Sequence, residues 1–359
     1  MLDAETTITI GMDLGDQWSR FAVLDATGNL IEEGRVRTAR GALRQRFASL
    51  APAVVALEVG PQSAWVSDLF TELGHSVIVA NPREVKAVTG STRKSDREDA
   101  RVLARLARVD ASLLHPVRHR CEEARAGLLA VRSRAALVEA RTQLINCARG
   151  LAKTFGVRVP ACGTANFAAR ARAVLPPALC ATLSGLLVSV DALTREIVAY
   201  DEGLEGMAEN LYPETQRLRD VPGVGVLTAL AYVLTIDEPH RFANSRDVGC
   251  YLGLRPQRRQ SGGFDPQLGI TKTGDTYLRK LLVQCAHHIL GRFGPDTALR
   301  RWGLKLCERG GRNGKKRAVV AVARKLAILL HRLIIVTQVK KVLTRECRLM
   351  EGIRRETCR

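Results

Sequence analysis

Four carboxylates and one serine are the residues of this chain whose type and setting could do chemistry. Asp13 ends an apolar, strand-like run in TITIGMD, and Glu58 ends another in VVALEV. Both runs should be buried, so each carboxylate would emerge at a sheet edge. Asp96 and Asp99 fall in STRKSDREDARVLARL, where three acids crowd into four residues of a basic segment. Ser95-Asp96-Arg97-Glu98 fits a capping box, so a helix is expected to start at Ser95. At about 100° per residue, Asp96 and Asp99 share a stripe with Ala100, Leu103 and Ala107, while Glu98 points to the opposite side and to water. Acids in a first turn also complement the helix dipole, which is the plainer account of them. Carboxylates aimed inward are costly unless a cation or a donor meets them. Four of them gathered over two neighbouring strands would need counter-charge. Two Mg²⁺ ions, hard cations that take oxygen ligands, would supply it. Such a pair, ~4 Å apart, activates one oxygen and stabilises the leaving one in phosphodiester chemistry.

Ser261 lies in QRRQSGGFDPQLGITKTGD (257–275), ahead of Gly262-Gly263, which free the backbone for close approach to a ligand. Arg255, Arg258 and Arg259 precede it and Lys272 follows. A hydroxyl in such a basic loop can attack a phosphodiester, although most serines so placed are plain loop residues. In DVPGVGVLTALAYVL (220–234), Pro222-Gly223-Val224-Gly225 matches a helix-hairpin-helix turn. Free N–H groups there can hold a backbone phosphate without reading bases. A tight interhelical joint fits the same residues equally well. With these, Arg279, Lys315, Lys316 and Arg317 complete the expected nucleic-acid contacts.

The elements that must position these groups follow from hydrophobic period. TITIGMD (7–13), RFAVLDA (20–26) and NLIEEGRV (29–36) read as strands, the last two joined at Thr27-Gly28-Asn29. ARGALRQRFASLA reads as a helix, VVALEV (54–59) as a buried strand, PQSAWVSDLFTEL as a helix and SVIVA (76–80) as a fifth strand. An antiparallel meander followed by β-α-β units implies a mixed sheet flanked by helices. That order is the one found in ribonuclease-H-like folds, which is analogy. Two long helices are expected in RCEEARAGLLAVRSRAALVEARTQLINCARGLAKTF and LCATLSGLLVSVDALTREIVAYDEGLEGMAENL, separated by breakers around Gly156, Pro160 and Pro176-Pro177. They imply a helical hairpin or coiled-coil arm, or an ordinary helical subdomain. The fold class is therefore α/β plus all-α. The expected domains are 1–115 for the sheet, 116–215 for the arm and 216–359 for a helical C-terminal part bearing the serine.

The chain has 359 residues and a net charge of +19, with 46% hydrophobic residues, which fits a globular protein of two or three domains. From Gly291 to Arg359 there are 19 Lys/Arg against 5 Asp/Glu. Such asymmetry suits a polyanion, most simply nucleic acid, although a solvated basic face fits the charge alone about as well. Nine scattered cysteines without a C-x-x-C pair argue against a zinc site and a disulfide framework. No apolar run is expected to reach the ~18 residues of a membrane span, and the N-terminus lacks a signal-peptide pattern, so a cytoplasmic location is expected.

IGMDLGDQ, ALEVG, NPREVKAVTG…RKSDREDA, DVPGVGVLTA, YLGLRPQ, SGG and LGITKTGDTYLRKLL occur in one order. Together they resemble transposases of the insertion-sequence-110 family, including its insertion-sequence-1111 group, over almost the whole chain. The resemblance implies a RuvC-like domain with a DEDD tetrad at Asp13, Glu58, Asp96 and Asp99, and a catalytic serine at Ser261 in a C-terminal transposase domain. It also implies recombination of donor and target double-stranded DNA guided by a bridge RNA, and dimers that join into tetramers, in a bacterial, nucleoid-associated setting. Two positions depart from the family pattern. Phe264-Asp265-Pro266 follows SGG where a basic residue is frequent, and Thr273 stands where the GITK segment is often basic.

Three other functions fit parts of the pattern. A junction-resolving metal nuclease would use the same acids with water as nucleophile. MDLGD also resembles the phosphate loop of actin-like and sugar-kinase ATPases, but a convincing second D-x-G loop is not found. A pure binding protein would keep the acids as structural groups.

Overall fold

The computed structural model describes residues 8–82, 85, 96–266, 268–311 and 313–357, and only the backbone of Asp96 and of 339–357. It divides into two compact units, Met1–His119 and Arg120–Arg359. The expected cap at Ser95 lies outside the described residues, as does most of the NPREVKAVTG…RKS stretch.

The first unit is built on five strands: β1 (Thr9–Asp13), β2 (Trp18–Leu24), β3 (Leu30–Arg37), β4 (Val54–Glu58) and β5 (Ser76–Ala80). Their order is β3-β2-β1-β4-β5, with the meander antiparallel and β4 and β5 parallel to β1 and β4 respectively. All five match the runs read from the sequence. The β2–β3 turn is tied by Asp25, whose carboxylate accepts from the Thr27 backbone and hydroxyl and from Asn29 N. Those donors, the Thr27 hydroxyl first, hold its pKa down to about 2.

The two faces of the sheet differ in kind. Ile10, Met12, Phe21, Val23, Val55 and Leu57 point to one side and pack on helices α1 (Arg40–Phe47) and α2 (Ser63–Glu72). Phe21, Phe47 and Phe70 stack there with ring centroids 5.4 and 5.1 Å apart. The other face carries Gly11, Ala22 and Ala56, and helix α3 (Asp96–Val109) lies on it. The contact is close. A Cβ on Gly11 would stand 2.0 Å from the Ala100 carbonyl oxygen and 2.5 Å from the Ala104 nitrogen. Glycine in a strand is weakening by itself, and here it marks the approach of another backbone.

The second unit is helical and is organised around α8, Val226–Ile236, in which every residue from Thr228 onward is buried. Its neighbours are the long helices α4 (Glu122–Thr154) and α6 (Pro177–Asn210), together with α10 (Thr276–Leu290) and α12 (Gly314–Thr357). Tyr232, fully buried, donates its hydroxyl to the Ala327 carbonyl at 2.5 Å, and burial pushes its pKa up. Short helices α5 (Phe167–Val174), α7 (Glu214–Arg219), α9 (Ser245–Tyr251) and α11 (Ala298–Glu308) complete the unit. The helical segment expected as an arm shares this core at one end, through Ala124, Leu128, Val131, Leu204 and Ala208. At the other end it has a core of its own, to which α4, α5 and α6 all contribute. Buried Leu183, Leu187, Val190, Ile197 and Leu204 on α6 are spaced by four, three, seven and seven.

Among the described residues, α6 is long and apolar enough to cross a membrane by length and composition alone. Its apolar residues do not form a continuous run. They are shared between the buried positions above and exposed ones such as Val188 and Val198.

Gly11→Val should force α3 off the sheet and destabilise the first unit by about 1–3 kcal/mol or more, read as a lower denaturant midpoint. Gly41→Ala, in α1 with nothing within 4 Å of its added carbon, should instead be neutral or stabilising.

Candidate active site

The register brings two of the four acids together. Gly11 pairs with Ala56 and Met12 with Leu57 along parallel β1 and β4, so the next row sets Asp13 beside Glu58 at the carboxyl ends. Side chains alternate along a strand, so both lie on the Gly11 face, the one α3 covers. Both are partly buried and both are engaged in contacts.

The direction of α3 follows from its far end. Arg108 hydrogen-bonds the Ala26 carbonyl and approaches Gly28, in the β2–β3 turn. That turn lies at the start of β1, because Leu24 pairs with Thr9. The helix therefore runs antiparallel to β1, and its first residues, Asp96 and Asp99, lie toward the carboxyl edge where Asp13 and Glu58 emerge. Ala100 and Leu103 of the expected stripe are fully buried, as is Ala104, while Ala107 is partly buried. Glu98, expected to face water, is half exposed and pairs with Arg101 at 3.5 Å and Arg105 at 4.0 Å. Arg97 and Arg101 both reach Glu33 of β3, pinning the first turns of the helix to the sheet.

An all-carboxylate donor set suits a hard divalent cation. Among the described residues, however, no three His, Cys, Asp or Glu side chains approach closely enough to hold a metal ion. Asp13, Glu58 and Asp99 thus do not close by themselves, and the side chain of Asp96 lies outside the description.

In the second unit, Ser261 sits at the tip of a hairpin. Ser261 and Phe264 exchange both backbone hydrogen bonds at 3.1 Å, and Gly262 takes φ +57° at the first corner. That is the geometry of a tight two-residue turn, and it favours glycine there. The hairpin continues through Gln257 N to Gly269 O, the Pro256–Ile270 bridge, Thr271 N to Arg255 O and Lys272 N to Gly253 O. Its base is locked. Added carbons on Gly253 and Gly274 would collide with backbone atoms at 2.3 and 1.9 Å. Lys272 holds a left-handed φ of +57°, strained for a residue with a side chain.

Ser261, Arg255, Arg258, Arg259 and Lys272 are all exposed on this hairpin. The two departures from the family pattern have structural places. Asp265 pairs with Arg258 across the tip at 3.4 Å, and the Thr273 carbonyl accepts from Arg279 at 2.7 Å. Arg279, expected to contact nucleic acid, is buried under the hairpin. It is only 9% exposed, and its guanidinium also donates to the Leu252 carbonyl at 3.0 Å and the Thr276 hydroxyl at 3.1 Å. It braces the hairpin base. Three of its hydrogen bonds go to protein acceptors, which a motif read as basic cannot reveal.

Gly223 (φ +87°) and Gly225 lie between α7 and α8 with exposed Pro222 beside them, and Gly225 is the N-cap of α8. They border an open cleft of about 520 Å³, with Thr228, Gln284 and His288 across it. Lys315, Lys316 and Arg317 are exposed in the first turn of the 44-residue α12.

A model described as Transposase IS116/IS110/IS902 family matches residues 215–301, and a DEDD-type IS110 model described as Transposase matches residues 10–155. The chain is 31% identical over 338 residues to the transposase for insertion sequence element IS1111A of Coxiella burnetii, covering 90% of this chain and 89% of that one. It is 30% identical to the transposase for insertion sequence element IS1328 of Yersinia enterocolitica, covering 79% and 84%. A probable family 20 transposase of Pseudomonas aeruginosa is 30% identical, covering 88% and 92%. The chain belongs to the IS110 family of insertion-sequence transposases, DNA-recombining enzymes of the DEDD type.

Arg279→Met should leave the fold standing but free residues 253–274, read as faster amide exchange and faster tryptic cleavage at Arg258 and Arg259. Unchanged exchange there would remove Arg279 from the bracing role.

Proposed function

We propose that this transposase cuts and rejoins DNA by attack of Ser261 on a phosphodiester positioned by Asp13, Glu58, Asp96 and Asp99. The observation that supports it most is the register row that sets Asp13 beside Glu58 on the face where α3 begins. Asp99, and Asp96 one turn earlier, complete an oxygen donor set suited to divalent metal, with two Mg²⁺ the natural load. Bound there, the metal would neutralise the phosphate and stabilise the departing oxygen. The Ser261 oxygen forms a bond to phosphorus as the bond to the 3′ oxygen breaks. The serine's proton ends, in net, on the released 3′ hydroxyl. The exchange conserves the number of phosphoester bonds, so rejoining needs no external energy source.

The remaining parts hold nucleic acid. Exposed arginines around Ser261 suit a phosphate backbone, and the Gly223–Gly225 turn offers the free N–H groups of a helix start. Lys315, Lys316 and Arg317 stand at the wrong end of α12 for its dipole, a placement that an anionic backbone would relieve. A guide RNA that pairs with donor and target DNA would supply sequence choice, which phosphate contacts do not carry. The heptad-like spacing on α6 suits a coiled-coil contact between copies, from dimer toward tetramer.

A water-using junction nuclease is the competing reading of the same acids. With full-length protein, DNA substrate, guide RNA and Mg²⁺, a covalent protein–DNA species should form and survive denaturing electrophoresis. Ser261→Ala should abolish it, and Asp13→Asn should lower it at least a hundredfold. Cleavage by Ser261→Ala with no adduct from the parent protein would favour water.

A further inference from the structure

The row that holds Glu58 and Asp13 does not end at β1. Asp13 pairs with Arg20 of β2, and Arg20 pairs with Arg35 of β3. Four side chains thus stand in line across four strands on one face: acid, acid, arginine, arginine. Strands lie about 4.8 Å apart, so the acids and Arg35 span about 10–15 Å, a few nucleotides. One row further, Trp18 pairs with Arg37 on the same face. Trp18 is 41% exposed, with the Arg35 guanidinium 4.7 Å and the Arg37 guanidinium 5.5 Å from its ring centre.

The charges around this strip are sorted. Glu33, on the same face, is taken by Arg97 and Arg101 from α3. Glu32, on the other face, is taken by Arg46. Among the described residues, Arg20, Arg35 and Arg37 have no acidic partner. Two arginines without an acidic partner set against an exposed indole, with Arg20 leading from them to the acid pair, fit a polyanion whose bases can stack. Aromatic platforms beside a cationic track are how single strands are held without sequence preference.

We propose that Trp18, Arg20, Arg35 and Arg37 form a track for the DNA strand that leads into the acid pair. One base stacks on Trp18, taking the place of a guanidinium over its ring, and the released arginines hold the flanking phosphates. DNA is the occupant because the row is continuous with the acids assigned to cutting DNA, and the proposal rests on that assignment. The strip sets where along the strand the phosphate comes to rest, so these are positioning and binding residues.

The test uses full-length protein with Trp65→Phe and Trp302→Phe, leaving Trp18 as the sole tryptophan, titrated with oligo-dT in EDTA. Trp18 emission should quench saturably. Adding Arg35→Gln and Arg37→Gln should flatten the slope of log affinity against log salt by roughly 1.4. In the parent background, Trp18→Ala should weaken oligo-dT binding on the order of tenfold, while Trp18→Phe largely retains it. Matched thermal melts exclude misfolding, and the Trp18→Phe variant decides the matter if Trp18→Ala is unstable. Unquenched Trp18, or quenching by oligo-rU alone, overturns the proposal. Binding without metal is independent of cutting. Asp13→Asn that still cuts would sink the acid assignment, while the quenching result still decides whether this strip binds DNA.

Discussion

The close contact between Gly11 of β1 and Ala100 and Ala104 of α3 is the constraint on which the site depends. A helix usually stands about a side chain's depth from a sheet. Here glycine and alanine on both surfaces let backbone approach backbone. That proximity fixes the height of α3 over the sheet, and the Arg97 and Arg101 pairs with Glu33 fix its rotation. The Arg108 contact at the far end fixes its direction. Together they direct the start of the helix toward the strand ends that carry Asp13 and Glu58. Local stability and chemistry are thereby joined: a Cβ at Gly11 disturbs the acids without touching any of them.

The second unit solves a different problem, presenting one hydroxyl far from any core. Ser261 is exposed at a tip, yet the hairpin behind it is determined at each level. Gly262 sets the turn, paired backbone groups carry it, and interlocked Gly253 and Gly274 close it. Arg279 ties three acceptors from beneath. A buried guanidinium so satisfied is rigid, since removing it would strand buried carbonyl groups. The role proposed for Ser261 needs a hydroxyl that is accessible and still holds its place, and a braced hairpin meets both demands.

Much of this was legible in the residues. Five strands and two long helices were readable because each carries a strong period over its full length. The Asp13 and Glu58 positions were readable because an acid closing an apolar strand has little reason to be there. Other features were hidden for physical reasons. Gly11 looks like a weak point in a strand until the helix above it is seen. Arg279 looks like a surface cation, since sequence shows charge but not which acceptors consume it. Trp18 and Arg37 lie just beyond the expected ends of their strands, where apolar alternation gives way to charge. The pairing that joins them to Asp13 is a property of register, and register between strands cannot be counted along one chain.

The most direct measurement is anomalous scattering from crystals of the full-length protein soaked in Mn²⁺. Peaks should lie between the side chains of Asp13, Glu58 and Asp99, with Asp96 completing the shell, and should vanish in Asp13→Asn. Mn²⁺ bound elsewhere, with these four carboxylates apart and unliganded even when DNA is present, would contradict the convergence of α3 on the sheet edge as the basis of catalysis.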